Sequence, residues 1–343
     1  ENVKGMLSSR HAGASMFDQI IHDLSKPSID LEYEIRSFVK HGDQNSLDPR
    51  DYVIESEKFG IPQSRHRVIL FGVRKGTKGA MQALLNPSLS PATVGEAIGA
   101  LPAIRSRLSR ADTLEDWRSA VRSAANLVPG KNLEGGTAVK DVMLARGREA
   151  THVSVGAAFI PFKFPKLAIT STLGAWLSDP AVGGVCQHEA RSHMASDLQR
   201  YMFASSFALT HGWSPRLEHY PSGLLPNHGN VSESSERKSV PFNDRFRVQC
   251  RNLPSTTVVA HIAKDGHYYI HHDPSQCRSL TVREAARLQT FPDNYFFMGN
   301  RTEQYTQIGN AVPPLLAKQL AEVVKEFLVA TRRRVAPMER CST

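Results

Sequence analysis

The side chains best able to do chemistry in this chain lie in Gln63-Ser64-Arg65-His66-Arg67. On a strand this run alternates, so Gln63, Arg65 and Arg67 share one face while Ser64 and His66 point to the other. Three long donors then converge, two of them permanently charged, as recognition of a polar or anionic ligand requires. Simple solvation of two surface arginines explains the same residues, and spacing alone leaves both readings open. A second set lies in Phe242–Arg251, where Arg245, Arg247 and Arg251 interleave with Phe246 and Val248. A strand there puts arginines on one face, an arrangement suited to lying along a groove. Spacing argues against other chemistry. His188 and His193 stand five apart, not the four of a zinc helix; Cys186, Cys250, Cys277 and Cys341 form no C-x-x-C pair; and no G-K-[ST] follows Gly130, Gly135 and Gly136. No metal site is expected.

The elements that must position these groups can be read from periodicity and breakers. Tyr52–Ser56 and Val68–Val73 read as strands flanking the donor run, the second too apolar to have a wet face. Ile20, Ile21 and Leu24 mark an earlier amphipathic helix. Thr93 with Glu96, and Thr281 with Glu284, have capping-box spacing, so each should open a helix. Phe291-Pro292-Asp293 should end the second one. A helix over Glu189–Phe207 would turn Met194, Leu198, Tyr201, Met202 and Phe203 inward, leaving Arg191 and Arg200 outward and able to touch a polyanion. Asp265-Gly266 reads as a hairpin turn between Val258–Ala263 and His267–His271. Gly309-Asn310 reads as a tight turn. Beyond Pro313-Pro314, Leu315, Leu316, Leu320, Val323, Val324, Phe327 and Leu328 recur at helical spacing. Arg105, Arg107, Arg110, Arg118 and Arg122 fit a solvated face and a phosphate-contacting one equally well. Ser214–Val240 is loop-rich.

With 343 residues, 41% of them apolar, the chain is long enough for two domains with cores of their own. A net charge of +9 favours a polyanionic partner, and nucleic acid first among them. There is no apolar run of the roughly 20 residues a membrane span needs and no signal-peptide pattern, so a cytoplasmic location is expected. The opening Glu1-Asn2-Val3-Lys4-Gly5-Met6-Leu7 reads like the middle of a domain.

Four stretches, in order, resemble the later signature motifs of the DNA cytosine-5 methyltransferases: Glu1-Asn2-Val3, Gln63-x-Arg65-x-Arg67, Arg278-x-Leu280-Thr281-x-Arg283-Glu284, and Gln307-x-Gly309-Asn310-Ala311-Val312. The resemblance implies an α/β fold, in which a partial doubly wound Rossmann-like methyltransferase sheet carries an inserted mixed α+β target recognition domain. It also implies a division of the chain. Residues 1–75 would be the latter part of the catalytic domain, 76–277 the target recognition region, 278–304 a hinge segment, 305–335 a C-terminal helix returning to the catalytic domain, and 336–343 a tail.

Roles follow from the same resemblance. Glu1 would hold a flipped cytosine at N3 and N4, Arg67 would donate to its O2, and Arg65 would support that pocket. Asn310 and Ala311 would close on the methionine end of S-adenosylmethionine. Gln63, Arg245, Arg247, Thr257 and Arg278 would contact double-stranded DNA. Two motifs of the family are not found: a G-x-G turn after an opening strand, and a Pro-Cys pair. The expectation is therefore the C-terminal portion of a bacterial modification enzyme, inactive without a missing N-terminal part or complementary subunit that holds most of the cofactor site. Its last helix would then lack a partner for its apolar face. A subunit of a split enzyme and a non-catalytic DNA-binding module are the other readings.

Overall fold

The structure is a computed structural model and describes residues 1–11, 13–77, 83–129, 136–226 and 243–335. The chain forms two compact units, Glu1–Pro91 with Val312–Thr343, and Ala92–Ala311.

In the first unit, β1 (Asn2–Val3) and the helix α1 (Met16–Ser25) precede β2 (Tyr33–Arg36), β3 (Val53–Glu55), β4 (His66–Val68) and β5 (Phe71–Arg74). Ser15 caps α1 by accepting the Asp18 amide at 3.3 Å, and the helix buries Phe17 against Ile35, Tyr52 and Val68. Leu24, expected on its apolar face, is exposed. Strand β4 lies between β1 and β3, antiparallel to both, with Val3 opposite Arg67 and Ile54 opposite Arg67. The apolar run 68–73 is not one strand. It breaks at Ile69–Leu70 and resumes as β5, which pairs antiparallel with β2. These antiparallel pairings differ from the parallel ladders of a doubly wound sheet. The reason lies in the connection from β3 to β4, a 3₁₀ turn at Ser56–Phe59 closed by Gly60 at φ +76°. It is too short for a parallel crossover, which takes a dozen or more residues.

The second unit opens with α2 (Val94–Ile98), where Thr93 and Glu96 form the expected capping box. Helices α3 (Leu114–Ser123) and α4 (Gly136–Glu149), the antiparallel strands β6 (Gly156–Pro161) and β7 (Gly184–Glu189), and helix α5 (Ala195–His211) follow. Trp117, Val121, Met143, Tyr201, Phe203 and Phe207 belong to one buried core. Helix α6 (Val282–Leu288) has the Thr281–Glu284 box, and α7 (Arg301–Asn310) is capped by Asn300 with Glu303.

Three expectations fail here for identifiable reasons. The helix expected from Glu189 begins only at Ala195, because Gly184–Glu189 and Ser192–His193 are taken up in strand pairing. The Asp265-Gly266 hairpin does not form, since Ala260–Ala263 is a 3₁₀ turn, although Gly266 does adopt a left-handed φ of +79°. Gly309 and Asn310 are not a turn but the last residues of α7. Glycine is needed at 309 for closeness: a Cβ there would lie 2.2 Å from the Ala260 nitrogen.

Segment 278–311 belongs to the second unit, and 312 onward returns to the first. There α8 (Pro314–Val335) buries Leu316, Val323 and Phe327. Leu316 and Val323 join Phe38, Ile54, Phe59, Ile61 and Leu85 in one core, and the Phe327 ring meets Phe71 edge-on at 5.5 Å. The apolar face expected to lack a partner is thus covered within the first unit, and only its margin, including Leu328, is exposed. The serine-rich stretch from 227 and the tail 336–343 lie outside the described residues, as do the side chains of Arg332, Arg333 and Arg334. Among the described residues no helix is long and apolar enough to cross a membrane.

Candidate base-binding site

Register brings Glu1 to Arg67. Because Val3 pairs with Arg67, the residue that begins β1's approach ends beside the guanidinium, and Arg67 Nε stands 3.0 Å from Glu1 Oε1. The pair is partly open, with side chains 15% and 33% exposed respectively. Arg67 Nη1 donates to the His66 carbonyl at 2.8 Å, which leaves Nη2 uncommitted among the described residues. The row therefore presents carboxylate oxygen next to an unspent N–H pair.

Gln63 and Arg65, earlier in the same run, are buried, so these side chains are not solvated surface groups. Ser56 fixes their backbone: its hydroxyl donates to the Gln63 carbonyl at 2.6 Å and accepts the Arg65 amide at 3.0 Å, and its amide donates to the Arg65 carbonyl at 3.2 Å. His66 points away, as alternation requires, and its Nε2 meets Glu57 Oε1 at 2.7 Å. Ser56 and Glu57 are positioning groups that no motif announced; the outward placement of His66 was the available signal. Glu55, Glu57 and His66 could together hold a metal ion. Glu57 Oε1 is paired with His66, and Glu55 accepts a hydrogen bond from Lys58, whose ammonium lowers the Glu55 carboxyl, while Glu57 Oε2 is buried without a partner among the described residues.

The DNA-contact candidates of the second unit separate into two groups. Arg245 and Arg247 are partly exposed, opposite the buried Phe246 and Val248. Arg245 Nη2 lies 3.8 Å from Asp265, and Arg247 pairs with Asp244. Thr257 is partly buried and its carbonyl accepts the Tyr269 hydroxyl at 2.9 Å. Arg278 is the exception. It is 1% exposed, donates to both Glu284 oxygens at 2.6 Å and to the Ile104 carbonyl at 3.1 Å. Burial raises the Glu284 carboxyl, but the Arg278 charge and hydrogen bonds outweigh it and hold the group well below its usual range. Arg278 is a brace of this unit's interior, and the expected DNA contact is corrected accordingly.

Other arginines prove internal too. Arg191 donates to the Ile262 and Lys264 carbonyls, Arg200 to Leu224, and Arg105 to Asp112 at 2.7 Å, so none is a free outward cation. Asn310 is exposed at the end of α7, while the Ala311 amide donates to the Ile308 carbonyl at 3.3 Å. An exposed carboxamide can donate and accept, which fits the amino-acid end of S-adenosylmethionine. Burial pushes the Cys250 thiol up to about 11 and the Cys277 thiol higher still, so neither is poised as a thiolate.

A family model for C-5 cytosine-specific DNA methylases matches residues 1–326. The chain is 30% identical over 333 residues to the Type II methyltransferase M.Bpa9945I of Bacillus paralicheniformis, covering 96% of this chain and 59% of that protein. It is 26% identical over 362 residues to the DNA (cytosine-5-)-methyltransferase M.ApeKI of Aeropyrum pernix, covering 96% and 71%. It thus spans 59% of the length of the first of these relatives. A solved prophage-encoded DNA modification methyltransferase of E. coli aligns with 95% of this chain and 68% of its own, at 16% identity and a TM-score of 0.47.

Proposed function

This chain belongs to the C-5 cytosine-specific DNA methylase family, and on that premise we propose that Glu1, Arg65 and Arg67 form the pocket for a cytosine flipped out of duplex DNA. The observation that carries the reading is the 3.0 Å Glu1–Arg67 pair, with Arg67 Nη2 uncommitted among the described residues. Thiolate attack at C6 pushes negative charge onto N3 and O2 of the ring. Glu1 offers its carboxyl to N3 and the N4 amino group, and Arg67 Nη2 donates to O2, so both act where charge develops. Arg65, buried two residues before Arg67, is assigned to support of the pocket. S-adenosylmethionine, when bound, supplies the electrophilic methyl group, and Asn310 with Ala311 would face its amino-acid end.

The second unit is assigned target recognition. Arg245 and Arg247 are the backbone-contacting groups, because their partly exposed acid partners bind them weakly and can yield to phosphate. Gln63 and Thr257 complete the proposed DNA contacts. The Type II names of relatives suit a modification role.

The thiolate is assigned to a separate polypeptide stretch bearing a Pro-Cys pair. None of the four cysteines here follows a proline, and burial keeps two of them protonated. The test is transfer of tritiated methyl from S-adenosylmethionine to a cytosine-containing duplex, by the chain alone and with a Pro-Cys-bearing polypeptide of the family added. Incorporation that needs both, and that falls about 100-fold in Glu1→Gln, supports the assignment. Incorporation by the chain alone would move the nucleophile to one of its own cysteines. Specific duplex binding with no incorporation in either case would favour a recognition module without chemistry.

A further inference from the structure

Arg247 and Thr257 lie on separate stretches of the second unit, and both stretches are tied to one frame, residues 267–270. The Arg247 stretch is joined to it through the backbone. The Arg247 amide donates to the His267 carbonyl, the Ile270 amide to the Arg247 carbonyl and the Gln249 amide to the Ile270 carbonyl, each at 2.9 Å. Val248 and Ile270, both buried, anchor that joint in the core.

The Thr257 stretch, residues 255–259, is joined to the same frame by side chains instead. Gln249 reaches both: its Oε1 accepts the Thr256 amide at 2.9 Å, while its Nε2 donates to the Tyr268 carbonyl at 2.7 Å and to Thr256 Oγ1 at 3.1 Å. The Tyr269 hydroxyl donates to the Thr257 carbonyl at 2.9 Å and accepts the Val259 amide at 3.2 Å. One oxygen thus spans the peptide groups on either side of Val258, which is buried, and leaves the Val259 side chain exposed. Tyr269 is itself fixed, since its amide donates to the Gly266 carbonyl and its carbonyl accepts the Leu280 amide, each at 2.9 Å. At the far end α7 closes on the stretch, where a Cβ on Gly309 would lie 2.3 Å from the Val259 carbonyl carbon.

Gln249 and Tyr269 are 1% and 4% exposed, so neither offers a surface to DNA. Phenylalanine would fill the volume of the Tyr269 ring but would not make the bridge from Thr257 to Val259. The hydroxyl therefore adds something that packing alone does not, a fixed path for the backbone that carries Thr257.

We propose that Gln249 and Tyr269 are positioning residues for DNA recognition, holding the Thr257 backbone at a set spacing from Arg247. It rests on the DNA contacts assigned above to those two residues. Two contacts at a set spacing accept only duplexes that present groups in matching positions, which selects a register and a shape. Loosening the spacing leaves every cation in place, so electrostatic attraction survives while discrimination is lost.

The experiment is selection of bound duplexes from a pool with a randomised core by the full chain, with binding of the unselected pool measured across a salt series in parallel. The wild-type chain should enrich a defined sequence. Tyr269→Phe should bind the unselected pool with wild-type affinity and wild-type slope of log K against log salt, while its enrichment of that sequence falls about tenfold, the scale of the hydrogen bonds one hydroxyl makes. Thermal midpoints establish folding, and Gln249→Met repeats the test at the Thr256 end should Tyr269→Phe not fold. Undiminished enrichment by the folded variant would overturn the proposal. So would a parallel fall in pool affinity and enrichment, which is what a purely structural role predicts. If the wild-type chain itself binds no duplex, or binds the pool and enriches nothing, the recognition reading has failed and the positioning role falls with it.

Discussion

Arg67 and Arg278 carry the same guanidinium in opposite surroundings, and the difference is the solvent each one sees. Arg278 is sealed in with Glu284, so removing it leaves an uncompensated buried carboxylate. Arg278→Ala should cost about 3–5 kcal/mol of unfolding free energy in a denaturant titration. Glu1→Gln breaks a pair that water already screens, and its unfolding free energy should change by less than about 1 kcal/mol while methyl transfer collapses. Equal losses of stability in the two variants would show that Glu1 is structural. Spacing alone could not tell these arginines apart. Type and order placed Glu1, Gln63, Arg65 and Arg67 in one neighbourhood, but the R-x-L-T-x-R-E pattern says nothing of burial. The partner of Arg278 lies six residues on, a separation with no helical or strand meaning, and the Ile104 carbonyl comes from far away in the chain.

Among the elements, those whose determinants are local were legible. The Thr93–Glu96 and Thr281–Glu284 boxes and the apolar stripe of α8 came directly from spacing, because capping and amphipathicity involve residues three or four apart. The start of α5 and the helical state of Gly309 were not legible, because strand partners and the backbone of Ala260 decide them from a distance. Gly309→Ala should accordingly lower the thermal midpoint, by the equivalent of about 1–3 kcal/mol for an overpacked site, though alanine is the better helix former. A gain in midpoint would show that the close approach relaxes without strain. Element packing also sets the acid limit. Burial pushes His188 and His272 down to about 4 and His193 to about 3. Unfolded, each would protonate near 6.5, so between these values the unfolded chain binds more protons than the folded one. The contribution is full above about pH 6.5 and is lost as the pH falls towards 4, by up to about 1.4 kcal/mol per pH unit for each histidine. Unfolding followed by tryptophan fluorescence between pH 7 and pH 4 checks the direction; a flat profile would mean the rings are accessible to water.

At the scale of the whole molecule, the first unit is assembled from two separated pieces of chain, 1–91 and 312 onward, with the second unit lying between them in sequence. Its core needs both pieces, since Leu316 and Val323 complete the cluster around Ile54 and Phe59. Phe327→Ala removes a ring packed on Phe71 and should destabilise this unit by about 3–5 kcal/mol, read as faster amide exchange in β2 and β5. Unchanged exchange there would show that α8 contributes little to the core. The discontinuity also imposes a schedule on the ribosome. At about 5–20 residues per second, the interval between emergence of Ile54 and of α8 runs to tens of seconds at the slower rates. Throughout that time the nascent first piece carries uncovered phenylalanines, while the second unit, continuous in sequence, can fold as soon as it is free. The order of synthesis thus completes the second unit before the core of the first, and it exposes the early piece to chaperones and proteases for longest.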